Sequence, residues 1–297
     1  MDRMKKWTRA LVVMASSCLG FVSSTAAAQQ KVFTDASGKI QVGIFQKDSE
    51  TTSQPIVTIP VGGDWVVIGG GGATTWIGHA GYGSLLTASY PDPYFSSWTV
   101  RAKDHIYSDP SAIRGYAIGI RVNGLSRQQL LEHVKLTSVA SNYSGTPSAT
   151  AYVDSGYTLL GCAFQIQYSS AGNMAVDAYP MSSSSCYASG KDHQVFDVSM
   201  MFVSAIGIRT TIPGVGNIIN AIQSSLSATG DAPMATATVP DGFVVTGGGA
   251  DVTYTRLGHL LWMTNPTVHN GWTVGSKWHA VSDPGYVRAY AIGVKVQ

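Results

Sequence analysis

Short alternating runs of apolar and polar residues, punctuated by glycine and proline, dominate the chain. Tyr116, Ile118 and Ile120 alternate with Ala117, Gly119 and Arg121, the two-residue period of a half-buried strand. Thr99 to His105 alternates in the same way, so Lys103 and His105 share one face of an extended segment and Asp104 takes the other. Val66-Val67-Ile68 runs into Gly69-Gly70-Gly71, which predicts a strand ending in a bulge or a close backbone approach. Helical signals are sparse. Ser126 is followed three residues later by Gln129, ahead of Leu130 and Leu131, a capping-box pattern that predicts a short helix over Ser126 to His133. Asn217 to Gln223 is read as a similar short helix.

The strand pattern recurs three times. Val66-Val67-Ile68-Gly69-Gly70-Gly71 returns as Val244-Val245-Thr246-Gly247-Gly248-Gly249 and, altered, as Thr158-Leu159-Leu160-Gly161-Cys162-Ala163. A proline stands 15 residues before each middle position: Pro55, Pro147 and Pro233. Downstream come Pro91, Pro180 and Pro266, then Trp98, Cys186 and Trp272. Five residues on is a lysine, two further a histidine, and four beyond that an aspartate. These are Lys103, His105 and Asp109; Lys191, His193 and Asp197; and Lys277, His279 and Asp283. Gly119, Gly207 and Gly293 follow 14 residues after each histidine. The units are therefore 31–122, 134–210 and 222–297, each with about four to six short strands. Extra residues fall only between the glycine turn and the tryptophan of the first unit, which marks a loop there. The fold class expected is all-β, three internal repeats of short antiparallel strands.

The turn Gly247-Gly248-Gly249-Ala250, the loop Ser89-Tyr90-Pro91, Trp98 and Trp272, Lys103-Asp104-His105 and the strand Tyr290-Ala291-Ile292 resemble a repeat found in secreted bacterial proteins without an assigned role. The resemblance covers nearly the whole chain after its first 30 residues and carries no catalytic assignment. It implies a pseudo-three-fold arrangement resembling a β-prism, a scaffold shared by lectins and membrane-binding modules. The second unit departs from the pattern at Cys162, Cys186 and Ser204.

Residues 1–28 read as a signal peptide. Arg3, Lys5, Lys6 and Arg9 precede an apolar run from Leu11 to Val22, and Ala26 and Ala28 fit a cleavage site after Ala28. Cys18 lacks the leucine three residues earlier that a lipoprotein signal favours; Ala15 stands there. The protein is expected to be secreted or periplasmic. The whole chain carries +2; the leader carries four basic residues and Asp2, or +3, so the remainder is near −1. That balance argues against a nucleic-acid partner, because phosphate neutralisation needs a basic excess. No later stretch is long and apolar enough for a transmembrane helix. The leader aside, two cysteines remain, Cys162 and Cys186, at the middle-glycine and tryptophan positions of the second unit. The coupled change predicts a disulfide there, and an indole lying over bare glycine backbone in the other two units.

The thrice-repeated Lys-x-His-x-x-x-Asp set is the candidate ligand-binding chemistry. Lysine and histidine donate hydrogen bonds and aspartate accepts them, which suits sugar hydroxyls or a phosphate headgroup, and Tyr94, Tyr107, Trp262 and Trp278 are aromatics suited to stacking on a sugar face. The alternative is framework: histidine bonding backbone carbonyls and aspartate capping a turn beside Pro110 or Pro284. Two arrangements suit a metal, a histidine and aspartate four apart both ligating or the three histidines converging on the pseudo-three-fold axis; His79 and His259 form a weaker pair. No zinc-type His/Cys spacing is present, and neither metal nor cofactor is expected. No nucleophile recurs beside the histidines, and there is no Gly-x-Ser-x-Gly elbow or phosphate loop, so no catalytic residue is assigned. The expected function is multivalent, non-enzymatic recognition of a glycan or cell-surface ligand. The alternatives are a structural or accessory module of an extracellular or toxin-like assembly, and a secreted hydrolase.

Overall fold

The computed structural model describes residues 27–75 and 82–297. The signal-peptide reading and His79 therefore lie outside the described residues, apart from Ala27 and Ala28. The first unit supplies β1 (Ala28–Thr34), β2 (Ile40–Asp48), β3 (Ile56–Pro60), β4 (Val66–Thr74), β5 (Leu85–Pro91), β6 (Ser97–Lys103) and β7 (Ile113–Val122). Helix α1 (Arg127–Leu131) leads into β8 (Val134–Ala140), β9 (Ser148–Tyr152), β10 (Tyr157–Gln167), β11 (Asn173–Ser182), β12 (Ser185–Asp192) and β13 (Met200–Arg209). After β14 (Thr211–Ile212) the third unit repeats the order with β15 (Gly216–Leu226), β16 (Met234–Thr238), β17 (Val244–Thr253), β18 (His259–Thr267), β19 (Gly271–Trp278) and β20 (Tyr286–Val296). The protein is all-β, as the alternation predicts.

The units share their sheets. Strands run β1-β2-β7-β4-β18-β19-β16 in the first sheet, β3-β6-β5-β10-β13-β8 in the second and β14-β15-β20-β17-β11-β12-β9 in the third. Each sheet thus joins strands of two units. The first unit reaches the second through β5 on β10, the second reaches the third through β11 on β17, and the third returns to the first through β18 on β4. The seams are short: Phe164↔Ser89 and Gln165↔Ala88; Ala178↔Ala250; Met263↔Ala73 and Thr264↔Gly72. The three sheets close a ring in the manner of a prism. One continuous core runs through it, holding Ile68, Leu160 and Val245 from the three units together.

The glycine turns explain how the ring closes. The pairing of β4, β10 and β17 with their neighbours shifts register at Val67/Gly69, Leu159/Gly161 and Val245/Gly247, so each carries a bulge at Ile68, Leu160 or Thr246. The bulged carbonyls point at the next unit. A Cβ on Gly69 would collide with the Thr246 carbonyl oxygen, one on Gly161 with that of Ile68, and one on Gly247 with that of Leu160. Three backbones meet without side chains between them, a contact that only glycine permits.

The next position decides the tryptophan–cysteine exchange. Trp98 and Trp272 are buried and lie against Gly70 and Gly248, where a Cβ would overlap the indole. In the second unit Cys162 and Cys186 are joined by a disulfide, with their Cα atoms 5.5 Å apart. A third change accompanies these two. Trp98 Nε1 donates to Ser89 Oγ and Trp272 Nε1 to Thr264 Oγ1, both at 2.8 Å. The corresponding residue two before Pro180 is Ala178, since no indole is present to need an acceptor.

Helix α1 follows the capping-box prediction: Ser126 Oγ accepts from Gln129 N, and Gln129 Oε1 accepts from Ser126 N. The helix expected over Asn217 to Gln223 is instead strand β15, paired with β20 from Ile218↔Val296 to Leu226↔Arg288. Ile218, Ile219 and Ile222 are β-branched, and β20 offers a free ladder edge there; both favour the strand.

The disulfide closes a loop with a separation of 24 residues. Replacing both cysteines with alanine is expected to lower unfolding free energy by about 3 kcal/mol. Changing Cys162→Gly, Cys186→Trp and Ala178→Ser together should recover most of it in urea titrations. The first two changes without Ala178→Ser should recover less, because the buried indole N–H then lacks its acceptor.

Candidate functional site at the prism axis

Each repeated histidine sits just past the end of β6, β12 or β19, and the ring brings the three together. The imidazole centroids of His105 and His193 are 5.2 Å apart, those of His105 and His279 5.3 Å, and those of His193 and His279 5.8 Å. All three are almost completely buried. His105 Nδ1 donates to the Ala171 carbonyl at 2.8 Å, and His279 Nε2 donates to the His105 carbonyl at 2.5 Å. Among the described residues His193 Nδ1 and Nε2 and His279 Nδ1 have no hydrogen-bond partner. The histidines therefore line one axial cluster. Among the described residues no group of three His, Cys, Asp or Glu side chains is arranged to hold a metal ion.

The loop after each histidine is unusual. Ile106, Gln194 and Ala280 have φ of 64°, 59° and 60°, in the left-handed region. The amides of Tyr107, Val195 and Val281 each bond the histidine carbonyl two residues back at 2.7 Å. These are three classic γ-turns, rare and strained. Each costs about 1–3 kcal/mol, most at the β-branched Ile106.

The lysines and aspartates lock neighbouring units together. Lys103 Nζ donates to the Ser170 carbonyl at 3.0 Å and lies 3.7 Å from the centroid of the Tyr168 ring, both in the second unit. Lys191 lies 4.0 Å from the centroid of the Tyr254 ring in the third unit. Asp197 accepts from Ser169 N and Oγ, Ser170 N and Asn173 N, and Asp283 accepts from Thr255 Oγ1, Arg256 N and Gly258 N. Each aspartate thus organises a loop on which the preceding unit's lysine rests. Burial pushes Lys103 and Lys191 down to about 8 and Lys277 to about 7, against the opposing charges of Asp197, of Asp283, and of Asp109 with Asp104 respectively. Burial by itself would raise Asp197 and Asp283, but their hydrogen bonds outweigh it and hold both below the usual carboxylate range.

Of the nine residues in the repeated set, eight are buried and Asp109 is half-buried. They do not form three surface sites. His259 is also buried, 3.1 Å through Nδ1 from Ser276 Oγ. Trp262 and Trp278 are half-buried, Tyr107 is exposed, and Tyr94 is exposed at the opposite end of β6.

Two surface features escape a reading confined to what repeats. On the third sheet Tyr179 stacks on Tyr290 with centroids 5.1 Å apart, and Tyr187 lies 5.6 Å from Tyr179. Asp177 and Asp251 flank the Ala178↔Ala250 pair on facing strands of the same seam. The corresponding positions at the other seams are Ala88 with Gln165 and Met263 with Ala73. Burial pushes Asp177 up to about 6, against bonds from Ser189 Oγ and Val252 N. The second feature is a groove of about 680 Å³ in the first unit, lined by Lys47, Thr58, Tyr94, Ser96, Ser97 and Arg127. Its hairpin is one residue longer than its counterparts, with seven positions from Pro91 to Trp98 against six in the other units. That extra residue was the one available sequence signal for the groove.

No protein-family model matches the chain, and no curated protein matches it.

The raised Asp177 has a pH signature. Between its unfolded value of about 4 and its folded value of about 6 the folded protein holds the extra proton, so stability falls as pH rises through that window. Asp177→Asn keeps an acceptor for Val252 N. It is expected to stabilise the protein by about 1–2 kcal/mol at pH 7, with no gain at about pH 4, measured by urea unfolding.

Proposed function

We propose that the protein is an exported, non-enzymatic binding protein that recognises carbohydrate through the groove of its first unit. The observation that carries this reading is a presented aromatic ring. Tyr94 is 77% exposed, yet the backbone beneath it is fixed from both sides. Arg127, the first residue of α1, donates from Nε to the Trp65 carbonyl and from Nη2 to those of Tyr94 and Phe95, at 2.9, 2.8 and 3.2 Å. Asp92 accepts from Tyr94 N, Ser96 N, Ser96 Oγ and Ser97 Oγ. The backbone that carries the ring is fixed before a ligand arrives, which reduces the ordering cost of binding. Thr58, Ser96, Ser97 and Lys47 line the groove with Tyr94. A flat aromatic face rimmed by small polar groups suits a sugar ring.

Burial of the Lys/His/Asp sets moves the proposed contact away from them and makes it one groove in place of three. The disulfide is compatible with an oxidising compartment outside the cell, in keeping with the signal-peptide reading. No described helix is long and apolar enough to cross a membrane. A hydrolytic reading is favoured by one observation, the raised Asp177 beside Asp251 at a seam rich in tyrosine.

A glycan array with the full chain and Tyr94→Ala separates these readings. Loss of an aromatic platform is expected to weaken glycan binding at least about ten-fold without changing the unfolding midpoint. Undiminished binding by Tyr94→Ala would place the contact elsewhere. Polymer turnover lost in Asp177→Asn and kept in Tyr94→Ala would favour the hydrolase.

A further inference from the structure

We propose that the axial imidazoles are a proton-binding site, and that proton uptake there unlocks this end of the prism. The three rings fill the axis where the units meet, with centroids between 5.2 and 5.8 Å apart, and each belongs to a different unit. His193 Nδ1 and Nε2 and His279 Nδ1 are buried and have no hydrogen-bond partner among the described residues. One nitrogen of a neutral imidazole bears a lone pair, so the cluster holds proton acceptors at its centre. A proton taken up there has no room for a water shell and no carboxylate on the axis.

The charged and titratable surroundings of the cluster point the same way. From β6, β12 and β19 it meets Lys103, Lys191 and Lys277, all cationic or close to it. The carboxylates on this end include Asp104, Asp109, Asp192, Asp197, Asp231 and Asp283. Burial lowers His259, paired with Trp278, against the charges of Asp283 and Asp231. Asp197 and Asp283 are spent on loop amides, while Asp104 accepts from Ser84 Oγ and Asp109 N, and Asp192 from Asn173 Nδ2. Tyr107 lies 6.4 Å from His279, with Tyr82 5.2 Å from Tyr107. Burial lowers all three histidines: His193 to about 3, with the His105, His279 and Lys191 charges adding to it, and His279 to about 4.

The sign follows directly. A closed axis keeps the rings neutral, whereas an opened one lets them protonate near the usual value of about 6.5. Opening therefore binds protons, and it becomes progressively easier from about pH 6.5 downward. The three strained turns at Ile106, Gln194 and Ala280 favour the same movement, since they relax once the histidine beside each leaves the axis. What moves outward carries apolar side chains: Ile106, Tyr107, Phe196 and Val281 are already exposed on these loops.

Hydrogen exchange on the full chain, corrected for the intrinsic effect of pH, tests this. At about pH 4.5, segments 103–110, 191–198 and 277–284 are expected to exchange at least about ten-fold faster than at pH 7.5. The hairpins at 92–97 and 267–271, beyond the other ends of the strands, should stay within about two-fold. His193→Phe should move the opening midpoint downward by at least about half a pH unit. His193→Gln provides the same comparison if the bulkier ring prevents folding. Protection of the axial segments down to about pH 4 would overturn the proposal, as would simultaneous loss at both ends. A midpoint unmoved in the histidine variants but moved in Asp197→Asn would assign the trigger to the carboxylates and overturn it equally.

Discussion

The closed ring depends on backbone meeting backbone at its centre. Gly69, Gly161 and Gly247 each accept the carbonyl of the preceding unit into the space where a side chain would stand. Once the central strands approach that closely, the bulges at Ile68, Leu160 and Thr246 follow, and so do the short seams that pass each sheet from one unit to the next. The next glycine outward receives an indole, or is replaced by half of a disulfide. The hydroxyl on the neighbouring strand then follows the indole. Stability is organised in shells around an axis that no side chain occupies at the glycine level.

The alternation of apolar residues and the constancy of spacing made the strands and units legible, because strand period and repeat are both local properties of sequence. The Cys162–Cys186 bond was legible for a different reason: two substitutions at positions already matched by the repeat had to touch each other. The sharing of sheets between units was not legible, since a strand edge carries no mark of which unit will cover it. Asn217 to Gln223 was misread as helix because an isolated segment does not reveal that β20 has an edge to fill.

The residues present in every copy are used between copies. Lys103 and Lys191 rest on the next unit's tyrosine, and His279 bonds the His105 carbonyl. The surface features that the repeat does not share lie where the copies differ: a longer hairpin in the first unit with the capped helix that follows it, and the Asp177 and Asp251 seam between the second and third. Repetition marks what must fit its own symmetry mates. A ligand from outside has no reason to respect that symmetry.

The circular hand-over of strands bears on what one unit is. Taken alone, the second unit would have β10 and β11 as raw edges, one waiting for a strand like β5 and the other for a strand like β17. Both are central strands, too apolar and too long to remain unpaired in water. Such a fragment is one third of a self-complementary trimer, and three identical copies would satisfy the same seams that the linked chain satisfies within itself. Covalent linkage thus fixes the stoichiometry at three without requiring separate chains to meet. It also gives each copy its own sequence, and so allows one to carry a disulfide and another a groove.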